Sequence, residues 1–124
     1  MKNRECQCMN TIKILHKGKK VLIPVRRTGV FSKYLGLMFR SRHTSNLLFE
    51  FTKKGKVTFT SLFVFFRYLT LWLDERNHVL AWEYIRPFRI AIYAPCAFSR
   101  VVEVPVNTKN ESILRLFRRK RGNV

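Results

Sequence analysis

"FTSLFVFFRYLTLWLDE", residues 59–75, is the stretch whose reading decides the fold. A membrane span, a core helix and a pair of strands all compete for it. The fifteen residues 59–73 would make a helix about 22 Å long. A hydrocarbon core is about 30 Å thick and needs roughly 20 residues. Arg67 lies mid-run, where a charge in lipid is costly, so a span is a poor reading. A helix fits poorly too, because Phe, Val, Thr, Tyr and Trp favour strands. In "YLTLWLD", residues 68–74, Leu69, Leu71 and Leu73 fall on one face. Tyr68, Thr70, Trp72 and Asp74 fall on the other, which is a period of two. The first half, "FTSLFVFF", is apolar nearly throughout its end, as in a strand covered on both faces. The run therefore reads as two strands, or one long bent strand, with Arg67 near the break. "DERNH" supplies a turn, and "VLAWEYI", residues 79–85, reads as the next strand.

Outward from this run the pattern stays mostly β. "NTIKILH" and "KVLIPV" flank "KGKK", residues 17–20, a hairpin signal with Gly18 in the turn. Pro24 marks an edge position or a strand end. Ser32 is placed to cap a short helix over 33–39, with Tyr34, Leu35, Leu37 and Met38 as its apolar side. "LLFEF" reads as a short strand and "TKKGK" as a second basic turn, with Gly55. "RIAIYA" and "RVVEVPV" are further strands, separated by "PCAFS". Asn110 is a candidate N-cap for a short helix with Ile113, Leu114, Leu116 and Phe117 on one side. "RRKRGN" follows it, a terminal stretch expected to be mobile. The expected fold is α+β and mostly β: a small curved mixed or antiparallel sheet, or a partly open barrel, with one short helix packed on it. Residues 1–108 read as a single mostly-β domain and 109–124 as a basic C-terminal helix or tail.

A chain of 124 residues fits one domain and buries roughly two-thirds of its unfolded surface. At 47% hydrophobic and 14% aromatic, wholesale disorder is excluded. The balance of 25 basic against 7 acidic residues, net +18, is the most unusual global feature. A field of that size attracts polyanions and strains the compact state by self-repulsion. Cys6, Cys8 and Cys96 are sparse and odd in number, which does not fit a secreted disulfide framework. With no export signal visible in the first twenty residues, a reducing cytoplasm is the expected compartment.

Four ordered segments carry a family resemblance. "GLMFR" (36–40), "NLLFEF" (46–51), "SLFVFFRYLTLWLDERNHVL" (61–80) and "RVVEVP" (100–105) resemble the uncharacterised family called domain of unknown function 192. The likeness covers roughly residues 21–106. It implies a small, mostly β α+β domain and brings no known reaction. The chain departs from the family pattern in lacking a Pro near Arg67 and Tyr68. It also has Val106 where a Gly is usual.

Enzyme chemistry finds little footing. Nucleophilic catalysis needs a nucleophile, a base and an orienting group. His16, His43 and His78 read instead as polar residues of loops and turns, and no phosphate-binding loop is present. Cys6 and Cys8 face one way in an extended segment. A zinc site would need further ligands, for which Cys96 or His16 are candidates, against a reading as free thiols. No metal and no cofactor are expected. Asp74 and Glu75 fall in a turn, solvated or capping. Glu103 lies within an apolar strand: it either faces outward, or points inward and needs a partner. Arg40 is the candidate partner, since both belong to the family-like segments; alternatively Arg40 caps the C-terminal end of its helix.

Two binding readings remain. In the first, RNA or DNA is bound with weak specificity through basic turns and the tail. Its residues are Lys17, Lys19, Lys20, Arg26, Arg27, Lys53, Lys54, Lys56, Arg115, Arg118, Arg119, Lys120 and Arg121. Such binding is led by the phosphate backbone. Trp72, Trp82 and Tyr84 are either stacking platforms for bases or core residues. In the second, a small-ligand or protein site lies around Met38, Arg40, Phe49 and Glu103.

Overall fold

Six strands build one curled sheet in the computed structural model, which describes residues 9–27, 41–51, 58–59, 61 and 63–118. In chain order the strands are β1 (Met9–His16), β2 (Lys19–Arg27), β3 (Leu47–Glu50), β4 (Thr58–Phe59), β5 (Tyr68–Leu73), β6 (Val79–Ile85), β7 (Ile92–Tyr93) and β8 (Arg100–Pro105). A 3-10 turn, Thr108–Asn110, leads into the helix α1 (Glu111–Leu116). The sheet order is β1-β2-β3-β8-β5-β6, and β4 pairs separately with β7. Only β2 and β3 pair in parallel; the other pairs within the sheet are antiparallel. The protein is thus mostly β, a six-stranded curled half-barrel with one short helix.

The decisive run divides at Arg67, as its sequence indicates. β5 begins at Tyr68, and all six of its residues are buried. Leu69, Leu71 and Leu73 join one core cluster, with Ile14, Ile23, Val25, Leu48, Val102 and Val104. Tyr68 and Trp72 join a second cluster, with Leu47, Phe49, Val64, Phe66, Phe98 and Val101. The alternation is real, but neither face meets water. The continuous covering expected of "FTSLFVFF" belongs to β5 instead. Residues 61 and 63–67 form no strand. Val64 and Phe66 turn inward while Phe63 and Phe65 stay exposed. The reason is a tether. The buried Ser61 hydroxyl donates to the Arg86 carbonyl (2.7 Å) and accepts from the Arg89 N–H (2.8 Å). Its backbone pairs with Phe88 and Arg89. These bonds hold the run across the outside of the sheet, away from a ladder partner. "RIAIYA" is likewise shorter than expected, reduced to Ile92–Tyr93.

Curling brings the two sheet edges together. The Leu15 N–H donates to the Asn77 carbonyl at 2.8 Å, and Leu15 bridges His78. Residues of β1 and β6 share the first cluster, so that cluster is the inside of the curl. Beyond the bridge the seam stays open and α1 fills it. Ile113, Leu114 and Phe117 are buried there. The segment 109–124 is therefore tied into the core as far as Phe117. Asn110 does not cap α1 with its side chain. Asn107 caps the preceding 3-10 turn, accepting from the Asn110 N–H at 3.0 Å. The buried Asn110 amide donates to the Pro105 carbonyl at 2.8 Å. Pro24 lies upstream of the short β2–β3 pairing, which involves only Arg26 and Arg27. Its carbonyl accepts from the Asn46 amide at 2.9 Å. The helix expected over 33–39 lies outside the described residues.

Replacing Phe117 with alanine should remove the seal of the seam. The expected loss is about 3–5 kcal/mol of unfolding free energy, read by urea denaturation. A loss below about 1 kcal/mol, typical of a surface change, would show that the helix end does not close the barrel.

Candidate functional site

The row Leu69, Leu71, Leu73 continues backward to Arg67. Strand alternation therefore delivers this guanidinium to the mouth of the curl. There it stacks over the Tyr84 ring, 5.6 Å from its centroid. Tyr84 and Trp82 share the inward face of β6 and meet edge to face at 6.0 Å. The Tyr84 hydroxyl donates to the Leu114 carbonyl of α1 at 3.1 Å. Phe117 packs on Trp82 at 5.9 Å and on the His16 ring at 4.6 Å. Arg118 follows directly. Between β6 and α1 these residues leave a cleft of about 560 Å³, lined by Arg67, Trp82, Glu83, Tyr84, Val106, Leu114 and Arg118. Burial pushes the Tyr84 phenol up, while Arg118 and Arg67 pull it down; the net shift is upward. Tyr84 thus stays a neutral donor at ordinary pH. Glu83, at the rim of the cleft, is paired with Arg89 at 3.0 Å.

The β1–β2 hairpin tip lies at the same end of the seam. Lys17 (φ 51°) and Gly18 (φ 80°) are both left-handed, the geometry of a tight two-residue hairpin turn. It exposes Lys17, Lys19 and Lys20. His16 carries this tip onto Phe117, beside Arg118. Burial, then Lys17, lowers the His16 pKa, which leaves that ring neutral against Phe117.

The predicted basic residues do not form one patch. Lys17, Lys19 and Lys20 lie at the hairpin tip, which His16 joins to Phe117, the residue before Arg118. Arg26 and Arg27 lie at the far end of β2, and Arg27 pairs with Glu50 at 2.7 Å. Arg115 pairs with Glu111 at 3.0 Å. Lys53, Lys54, Lys56, Arg119, Lys120 and Arg121 lie outside the described residues. Trp72 is fully buried in the second cluster, so it is no stacking platform; Trp82 and Tyr84 are half-buried and line the cleft. Arg67 entered the sequence reading as a charge against a membrane span and as the residue near a break. Its place in the Leu69–Leu71–Leu73 row was the signal that it stands at the mouth.

Of the second predicted site, Phe49 and Glu103 come together, while Met38, Arg40 and any metal ligands at Cys6 and Cys8 lie outside the described residues. Glu103 opposes Leu47 on β3 and Thr70 on β5. It points inward, on the face of the second cluster, and is 6% exposed; the outward alternative is corrected. No described residue gives it a hydrogen bond. Burial raises its pKa to about 8. Tyr68 beside it is pushed up too, by burial first and then by Glu103. Asp74 caps its turn, accepting from the Arg76 and His78 N–H groups at 2.8 and 2.9 Å. Among the described residues no cluster of three or more His, Cys, Asp or Glu could hold a metal. None of their helices is long and apolar enough to cross a membrane.

No family model matches the chain, and no curated protein matches it. Two solved structures share the fold. A protein of unknown function from Novosphingobium aromaticivorans is 14% identical, with a TM-score of 0.68, over 85% of this chain and 78% of that one. A "putative transcription regulator" from Sinorhizobium meliloti is 17% identical, with a TM-score of 0.69, over 88% of this chain and 85% of that one.

Glu103 makes stability depend on pH. Its folded pKa is about 8 against an ordinary 4.5, so between these values the folded state holds a proton that the unfolded chain releases. Its contribution therefore falls as pH rises through that window, by at most about 1.4 kcal/mol per pH unit. Glu103→Gln should be the more stable protein at pH 8, with the gap to wild type closing toward pH 4.5. Parallel urea curves across the window would refute a buried, protonated Glu103.

Proposed function

We propose that this domain binds nucleic acid through the basic end of its seam, as a non-enzymatic module of the reducing cytoplasm. One observation carries the reading: the contact of His16 with Phe117 gathers the hairpin-tip lysines and Arg118 at one place. No carboxylate pairs with these side chains among the described residues. Cations without partners release counterions from a phosphate backbone when they bind it. The surface ion pairs of Arg27 and Arg115 are worth little, so a phosphate can compete for those side chains as well. The Sinorhizobium meliloti protein is named for a role in transcription, which accords with a nucleic-acid partner. The four sequence segments place the chain, on our reading, in the family of unknown function 192, whose members carry no assigned reaction.

Lys17, Lys19, Lys20, Arg67 and Arg118 offer five phosphate contacts. The log–log salt slope should then be about −3.5 on single strands and about −4.5 on duplex. Fluorescence anisotropy of labelled RNA and DNA across a salt series reads it. Changing Lys17, Lys19 and Lys20 together to Gln should flatten the slope by about 2 to 3. A truncation that tests the tail belongs after Phe117, since an earlier cut removes core. No binding near 150 mM salt, about physiological strength, would sink the proposal.

A further inference from the structure

The geometry points to the cleft between β6 and α1 as a site for a nucleoside monophosphate. Arg67 and Arg118 hold the phosphate, and the flat base lies along the Trp82 wall. The nucleotide is either free or the phosphorylated end of a strand. The site adds to the nucleic-acid reading but does not depend on the hairpin-tip lysines.

Four observations converge. The cleft, about 560 Å³, falls within the range of small-ligand sites, roughly 300–1,000 Å³. Its walls divide by chemistry. Trp82, Tyr84, Val106 and Leu114 give apolar and aromatic surface, and Arg67 and Arg118 give two cations. Both cations line the same cleft as Tyr84, and Arg67 sits over its ring. Neither has a carboxylate partner among the described residues, and the one acid at the rim, Glu83, is engaged by Arg89. The cleft's charge is therefore open to a ligand anion.

The shapes select further. Guanidinium groups match a phosphate with paired N–H donors. Arg67 already sits over the Tyr84 ring, and the Val106 N–H donates to its backbone carbonyl at 3.0 Å, so it is set in place before a ligand arrives. Aromatic surface beside such cations suits a base, since every base has a π-face. Tyr84 cannot spoil the field by ionising, because its hydroxyl is neutral and donated to Leu114. An inorganic anion would use the cations and leave the aromatic wall idle.

Trp82 makes the site its own reporter. The other tryptophan, Trp72, is fully buried, so a ligand-dependent change in fluorescence reports on Trp82. Adenosine 5′-monophosphate is titrated by fluorescence and by calorimetry, beside adenosine and ribose 5-phosphate. The nucleotide should bind at least about tenfold tighter than either fragment. Arg67→Gln and, separately, Arg118→Gln should each weaken it by about tenfold or more at an unchanged melting temperature. The triple Gln variant of Lys17, Lys19 and Lys20 should bind it like wild type, even where polyanion binding is lost. A short RNA with and without a 5′-phosphate separates the sources. In the triple Gln variant, tighter binding of the 5′-phosphorylated than of the unphosphorylated strand assigns the site to strand ends; equal binding of the two assigns it to the free nucleotide. The inference is overturned by no binding up to about 1 mM, by ribose 5-phosphate binding as well as the nucleotide, or by affinity that survives both arginine changes.

Discussion

The structure depends on one strand that has water on neither side. All six residues of β5 are buried, and the strand pairs with both β6 and β8. Its leucines belong to the inside of the curl and its aromatics to the outside cluster. A sheet buried on one face needs one cover; this one needs two. The inner cover is the sheet itself, curled until β1 reaches β6, with α1 sealing what the curl leaves open. The outer cover is the run before β5, held down by Ser61, together with the segment around Phe98. Every other element either pairs with this strand, continues the sheet around it, or covers one of its faces.

Much of this was legible from residues. Period two over residues 68–74 fixes a strand, and no helix places Leu69, Leu71 and Leu73 on one side. The hairpin with Gly18 and the strand at residues 79–85 follow from local chemistry alone. What covers a face is not local information. "FVFF" is as apolar as a doubly covered strand, yet it serves as a cover, because a serine two residues upstream of Phe63 is bonded to residues 25 and 28 positions away. Asn110 reads as a cap on paper, but the carbonyl of Pro105 takes its amide, and Asn107 caps the preceding turn instead. Glu103 posed the same difficulty, since an alternating strand permits either face and burial comes from partners distant in sequence. Arg67 was the reverse case: its position in the leucine row was readable, but its charge drew attention to the break instead.

The charge pattern follows from how few acids there are. Among the described residues, Glu50 serves Arg27 and Arg100, Glu83 serves Arg89, Glu111 serves Arg115 and Asp74 caps a turn beside His78. Glu103 is withdrawn into the core, where burial favours its neutral form. With that proton bound, the chain carries one charge more than its formal +18. None of these five acids pairs with the described cations at the seam end.

That residue of charge needs a reason, and the usual structural one reaches only part of it. Lysines often protect open sheet edges from pairing with other chains, and the exposed Lys13 on β1 can serve that purpose. Lys19 and Lys20, on the stretch of β2 that pairs with β1 but not with β3, can serve it too; Lys17, in the turn, cannot. Three cations within four residues repel one another, and the fold adds Arg118 to them through Phe117 rather than spreading them apart. A contact that seals the core at its own end also concentrates charge there. The arrangement costs stability in the free protein by self-repulsion, so the seal of the core and the clustering of charge meet at the same aromatic ring.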